Sequence, residues 1–301
     1  MRLTSLTALA LALPLAAHAT PKVVTDIAPI HSLVAQVMDG VGTPDLLVSG
    51  AASPHGFALR PSQARLVSSA DLIVMVAHDL TPWLEEAAEA LAPNAEHLEL
   101  LDVDGTVHHD LREEAVFDER DHKEHDHDHG EEGVDPHAWL DPQNAQVWLS
   151  AIAAQLSALD PDNAARYASN AETARAALQS LELTLYARLE PAQNAAILPL
   201  HDAYQYFEQR FDLHSVGAIA ASDAQAPGPK RLSDLQNAAD NVDCVLIEPQ
   251  QSAKLAQSIY GDAVPLVTID PLGGGFEPGL TLYVETLSAM ADSILDCTSD
   301  H

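Results

Sequence analysis

The sequence predicts an α/β protein of two lobes, each a parallel sheet flanked by helices, joined by a long rigid helix. Three observations predict it. Short apolar runs end at polar residues and are followed by helical periodicity in both halves of the chain, as in parallel strands covered on both faces. A long helical stretch free of Gly and Pro lies between the halves. The 301 residues exceed one average domain, and a 47% hydrophobic composition leaves enough apolar material for two cores.

At the N-terminus, Met1-Arg2 gives a short positive start. The apolar run Leu3 to Ala17 and the small-x-small site Ala17-His18-Ala19 follow. That pattern is a cleavable secretory signal peptide, too short to anchor in a bilayer. The expected destination is the periplasm. Val23-Val24-Thr25 then leads to Asp26, and Leu72 to Val76 leads to His78. In the second half Ala196-Ile197-Leu198 leads to His201, Val242 to Ile247 leads to Glu248, and Leu266 to Ile269 leads to Asp270. Between them, a helix from Pro142 to Leu156 follows Asp141, a suitable N-cap. Asn163 to about Leu189 is rich in Ala, Leu, Glu and Arg, and Pro191 closes it. The division expected is a signal peptide over 1–19, an N-terminal metal-binding lobe over 20–158, a linker helix over 159–190 and a C-terminal lobe over 191–301.

One segment resists folding. Residues 102–135 hold fourteen acids and six histidines with little to bury, a disordered insertion by composition. Within it His122, His125, His127 and His129 alternate with acids, and such tracts bind transition metals. The formal net charge of -31 repels nucleic acid and anionic lipid and attracts cations. Cys244 and Cys297 lie outside any CxxC pair. In an exported chain they form either a structural bridge or two free thiols.

Three histidines outside the insertion stand in unusual contexts. His55 lies in Ser53-Pro54-His55-Gly56-Phe57, His137 in Asp135-Pro136-His137-Ala138-Trp139-Leu140-Asp141-Pro142, and His201 at the end of an apolar strand. Asp270 ends another strand, and ligands of open α/β sheets bind beyond the carboxyl ends of the strands. Three imidazoles with at most one carboxylate or water favour Zn²⁺ over Mn²⁺. Asp135 and Asp202 are candidates to orient ligand imidazoles, and His78 is a further cleft candidate. A zinc-dependent hydrolase is the rival from another class, but HExxH, GxSxG and a phosphate-binding Gly loop are absent from the sequence.

The SPH…LRPS, PHAWLDP, HDAYQYF, IEPQ and TIDPLG segments, in that order, resemble the zinc-binding components of bacterial ABC importers, the ZnuA type of the metal-binding solute-receptor cluster. The resemblance spans essentially the whole mature chain. It implies two α/β lobes joined by a long helix, with Zn²⁺ held between them by His55, His137, His201 and Asp270, and a Cys244–Cys297 disulfide. It also implies delivery to an ABC permease and its ATPase by a monomer that is not an enzyme, with a metallochaperone as a further candidate partner. Some relatives carry Glu before the first ligand histidine; Pro54 stands there, leaving Asp270 or water as the fourth ligand. A manganese or iron receptor of the same cluster is the nearest alternative, but such relatives generally place Glu where His201 stands.

Overall fold

The computed structural model describes residues 20–50, 52–117, 133–222, 226–238, 242–261 and 264–298. The expected signal peptide lies outside them, as do His122, His125, His127 and His129.

The two sheets share one design. The first contains β1 (Val23–Ile27), β2 (Asp45–Val48), β3 (Leu72–Met75) and β4 (Glu96–Glu99) in the order β2-β1-β3-β4. The second contains β5 (Ala196–Pro199), β6 (His214–Ser215), β7 (Cys244–Ile247) and β8 (Leu266–Thr268) in the order β6-β5-β7-β8. Every pairing is parallel. The central strands β1 and β3 are buried along their whole length. This explains the unbroken apolar run of β3, whereas β1 carries Thr25 and Asp26 inside the strand, so Asp26 does not end it. The run Val242 to Ile247 is paired as a strand only from Cys244.

Helices α1 (Ala28–Met38), α2 (Pro61–Ser68) and α3 (Pro82–Leu91) cover the first sheet, and α6 (Gln205–Phe211), α7 (Pro229–Ala238) and α8 (Lys254–Tyr260) belong to the second. Between the sheets run α4 (Pro142–Leu159) and α5 (Ala164–Leu189). The Asp141 side chain caps α4, accepting from the Gln143 N–H at 2.7 Å. The 26 residues of α5 extend about 39 Å at ~1.5 Å per residue. One face of α5 buries Tyr167, Ala171, Ala174, Leu178, Leu185 and Leu189, the three-and-four spacing of a helix packed along its length.

The last helix, α9 (Leu282–Thr298), returns to pack on β7, β8, α1 and α5. One buried apolar cluster therefore runs from Val23 to Cys297 through both halves. Cys244 at the start of β7 and Cys297 in the last turn of α9 are fully buried and disulfide-linked. Buried side chains also fasten the halves together. Trp139 Nε1–H donates to the Pro271 carbonyl at 2.9 Å, and the Tyr283 hydroxyl donates to the Trp139 carbonyl at 2.7 Å. Arg210 reaches from α6 to grip Asp141 through Nε and Nη2, each at 2.7 Å. Among the described residues no helix is long and apolar enough to cross a membrane.

Candidate metal centre

The strand ends build the site. His201 lies two residues beyond β5 and Glu248 one residue beyond β7, and these strands are parallel neighbours, with Leu198 opposite Val245. Their polar ends thus emerge side by side, and His201 Nδ1 lies 3.0 Å from Glu248 Oε1. His137 precedes the short turn Ala138–Leu140 that leads into α4. Its Nδ1 lies 2.7 Å from Asp135 Oδ1, which also accepts the His137 backbone N–H at 3.0 Å. His55 comes from the loop after β2, where Trp83 Nε1–H donates to the Pro54 carbonyl at 2.7 Å and the Trp83 ring packs on Phe57.

His55, His137 and His201 converge, each offering one ring nitrogen, and these nitrogens lie within 4.8 Å of one another. The ring centroids are 5.5 Å (His55–His137), 5.9 Å (His55–His201) and 4.9 Å (His137–His201) apart. His137 and His201 are buried, whereas His55 is half-buried. Pro54, Trp139, Ala203, Pro271 and Leu272 wall the space around the imidazoles, and Glu248 and Gln250 add polar groups. A tetrahedral Zn²⁺ with bonds of ~2.0–2.1 Å spaces its nitrogens by about 3.3 Å. Nitrogens already within 4.8 Å need close by at most about 1.5 Å to reach that spacing.

The two buried imidazoles are set in one tautomer by their neighbours. A carboxylate at Nδ1 that accepts a proton there directs the Nε2 lone pair outward, as in carboxylate–histidine–metal arrangements. Burial pushes the Asp135 carboxyl up to about 6, opposed by the His137 N–H and the Arg112 charge. Tyr204, fully buried beside Glu248, has its hydroxyl raised well above its ordinary range by that burial and by the Glu248 charge.

Asp135 sits where an orienting carboxylate is expected, but Asp202 does not. Its carboxylate is held by the Arg112 guanidinium, with Nε 3.1 Å from Oδ2. Locally, the Asp202 N–H bonds to the Ala220 carbonyl at 3.1 Å, and Arg112 comes from the segment between β4 and α4. The carboxylate that orients His201 is Glu248, identifiable from sequence only by pairing the ends of β5 and β7 as neighbours. Asp270 follows β8, as expected, but its Oδ1 accepts the Leu272 N–H at 3.0 Å, and it stands outside the three-histidine group. His78 lies on the surface with Nδ1 3.2 Å from Glu99 and Nε2 3.2 Å from Asp79, and it does not line the cavity.

Comparisons with known proteins come from three directions. Residues 23–297 match the family model described as ZnuA, zinc-uptake complex component A periplasmic. The chain is 39% identical to the high-affinity zinc uptake system protein ZnuA of Paracoccus denitrificans, over 95% of this chain and 94% of that one. It is 34% identical to the protein of the same name from Brucella suis, over 92% and 91% of the two chains. Among solved structures, a zinc-bound deletion mutant of ZnuA superimposes with a TM-score of 0.76 at 24% identity, covering 94% of this chain and 99% of that one. The laminin-binding adhesin of Streptococcus agalactiae, in a mutant form, gives a TM-score of 0.74 at 22% identity, covering 91% and 99%. These last two likenesses establish the fold.

Proposed function

Since the chain belongs to the ZnuA family of periplasmic zinc-uptake components, we propose how its residues divide the work of capturing Zn²⁺. The protein is a zinc-binding receptor and not an enzyme, and receptors of this type work with an ABC permease and its ATPase. In our reading His55, His137 and His201 ligate the ion, Asp135 and Glu248 hold two of the imidazoles in the ligating tautomer, and Asp270 or water takes the fourth position. The observation that carries this reading is the convergence of three imidazole nitrogens within 4.8 Å, with no carboxylate in the group. Such a nitrogen-rich donor set, with at most one oxygen added, suits zinc better than manganese, which favours more carboxylate oxygen.

The rest of the proposal concerns the whole chain. Residues 1–19 act as the signal peptide, 20–158 and 191–301 as the two lobes, and 159–190 as the linker. The tract with His122, His125, His127 and His129 takes up zinc more weakly than the cleft, as its composition suggests. The receptor acts as a monomer, with a metallochaperone as a candidate donor.

The test is calorimetry with Zn²⁺ on a form lacking residues 118–132, so that only the cleft is titrated. His55→Ala, His137→Ala and His201→Ala should each weaken binding at least about tenfold, since each removes one of few ligands. Asp270→Ala should cost less, because its Oδ1 is already committed to the Leu272 N–H. A histidine whose replacement leaves the affinity unchanged leaves the ligand set, and an Asp270 effect as large as a histidine's would place that carboxylate on the metal.

A further inference from the structure

The segment between β4 and α4 does more than connect them. After Leu101 it is pinned to α4, where the Asn144 side chain bonds both the N–H and the carbonyl of Val107. It then crosses to the second lobe. Val116 forms an antiparallel bridge with Gly217, the Phe117 N–H donates to the Val216 carbonyl at 3.0 Å, and the Ala218 N–H donates to the Ala115 carbonyl at 3.1 Å. The approach is close enough that a Cβ on Gly217 would stand 2.2 Å from the Ala115 carbonyl oxygen, so glycine is required there. Arg231 secures the crossing by donating to the carbonyls of Glu113 and Ala218, at 3.0 and 2.9 Å.

This crossing reaches His201 by two routes. Through the backbone, residues 216–218 that pair with the crossing continue into Ala220, which bridges to His201 and accepts the Asp202 N–H. Through side chains, the Arg112 guanidinium binds the Asp202 carboxylate and donates to Glu208 Oε2 at 2.8 Å, with its Cζ over the Phe117 ring, 3.8 Å from the centroid. Arg112 is 18% exposed and its two carboxylates are 6% and 9% exposed, so this is a buried two-acid clamp in which loss of the cation strands two charges. A planar guanidinium can hold both acids and stack on the ring at once; a lysine cannot.

We propose that Arg112 is a positioning residue for zinc capture: the first-lobe crossover, through the Arg112–Asp202–Glu208 clamp, fixes the turn that presents His201. Arg112 itself touches no metal. The inference rests on His201 being a ligand, and the two ideas fail separately, because His201→Ala reports on the ligand whichever way Arg112 behaves.

The full chain is loaded with one equivalent of Zn²⁺, and the release rate into excess chelator is followed by stopped flow. Thermal unfolding and the visible spectrum of the Co²⁺-substituted protein are recorded on the same samples. Arg112→Gln should release zinc about 10–100-fold faster, the range found when groups supporting a metal ligand are removed, and should alter the Co²⁺ bands. Arg112→Lys should recover part of the loss, since it restores charge without the fork. Combining Arg112→Gln with Asp202→Asn should add little to the release rate, because both changes break one clamp. Arg210→Gln, which breaks the Arg210–Asp141 pair, serves as the control for stability lost elsewhere. Should Arg112→Gln not fold, Glu208→Gln, which keeps the Asp202 contact, replaces it and should speed release several-fold. Release within twofold of wild type with unchanged Co²⁺ bands, or no faster than in an equally destabilised Arg210→Gln, overturns the proposal.

Discussion

Replacing Glu248 tests the reading of the site without touching a proposed ligand. Its Oε1 lies 3.0 Å from His201 Nδ1 and 3.4 Å from Gln251 Nε2, and its Oε2 accepts from Gln250 Nε2 at 2.5 Å. The residue is 4% exposed, so bulk water does not compete for these bonds. A hydrogen bond to a charged acceptor contributes about 1.5–3 kcal/mol, and ~1.4 kcal/mol is tenfold in affinity. Glu248→Ala should therefore weaken zinc binding about 10–100-fold, toward the lower end if water enters the vacated space and takes the imidazole proton. Glu248→Gln should cost less than about tenfold, because the amide oxygen can still face His201 while Gln250 turns its own amide to match the new NH₂. Competition against a chelator of known affinity gives the ratios, and nitrogen NMR of His201 reports the tautomer directly. Equal affinity in Glu248→Ala and wild type would refute the orienting role. A loss in Glu248→Gln as large as that in Glu248→Ala, with changed Co²⁺ bands, would instead make Glu248 a ligand.

Two further outcomes follow from the frame around the site. Cys244 and Cys297 are 53 residues apart in sequence, and in the chain-entropy model closing such a loop stabilises by about 4 kcal/mol. The double variant Cys244→Ala/Cys297→Ala should lower the denaturation midpoint accordingly while leaving zinc affinity within about twofold, since neither sulfur lies in the three-histidine group. An unchanged midpoint would refute the first half, and lost affinity the second. Asp26, fully buried, accepts the N–H groups of Ile27 and Val76, and burial raises its carboxyl from 3.8 to about 7. Between those values the folded chain keeps a proton that the unfolded chain has released, so this group's contribution to stability falls as pH rises through about 4 to 7. In zinc-free protein the stability advantage of wild type over Asp26→Asn should thus shrink by a few kcal/mol between about pH 4.5 and 7.5. An equal gap at both pH values in urea titrations would show that Asp26 does not titrate in that window.

What the sequence conveyed about the fold depended on burial. β1 and β3 sit at the centre of their sheet, and their side chains are buried on both faces, so β3 shows a continuous apolar run and β1 an apolar start at Val23-Val24. Of the strands at the margins, β8 shows the apolar run Leu266 to Ile269, but β2, β4 and β6 left no such trace. β2 begins with exposed Asp45, β4 reads Glu-His-Leu-Glu, and β6 is only two residues long. Each is held by pairing with a central neighbour, a relation that no local pattern records. The long helix was legible for the opposite reason. Its exposed face is built from strong helix formers and its buried face repeats at three and four residues, both of which are local signals.

The same distinction separates the parts of the site. His55, His137 and His201 stood out because each interrupts an apolar or proline-marked context. Asp135 is two residues from His137 and acts on it directly, so sequence proximity was a sound guide. For His201 proximity misled. Asp202 is its chain neighbour, but successive residues leaving a strand point to opposite sides, and the crossover from the other lobe supplies Arg112 on the side that Asp202 faces. The group facing the His201 imidazole comes instead from 47 residues away, because β7 lies beside β5 in the sheet. Glu248 carries the same charge as Asp202 and ends a strand as Asp270 nearly does, so composition could not choose among the three. Strand order chooses: only β7 is adjacent to β5 on that side, while β8 is one strand further out. A carboxylate beyond β8 must therefore span an extra strand width of about 4.8 Å to reach the imidazole of His201, which is why Asp270 bonds to its own backbone turn while Glu248 meets the histidine.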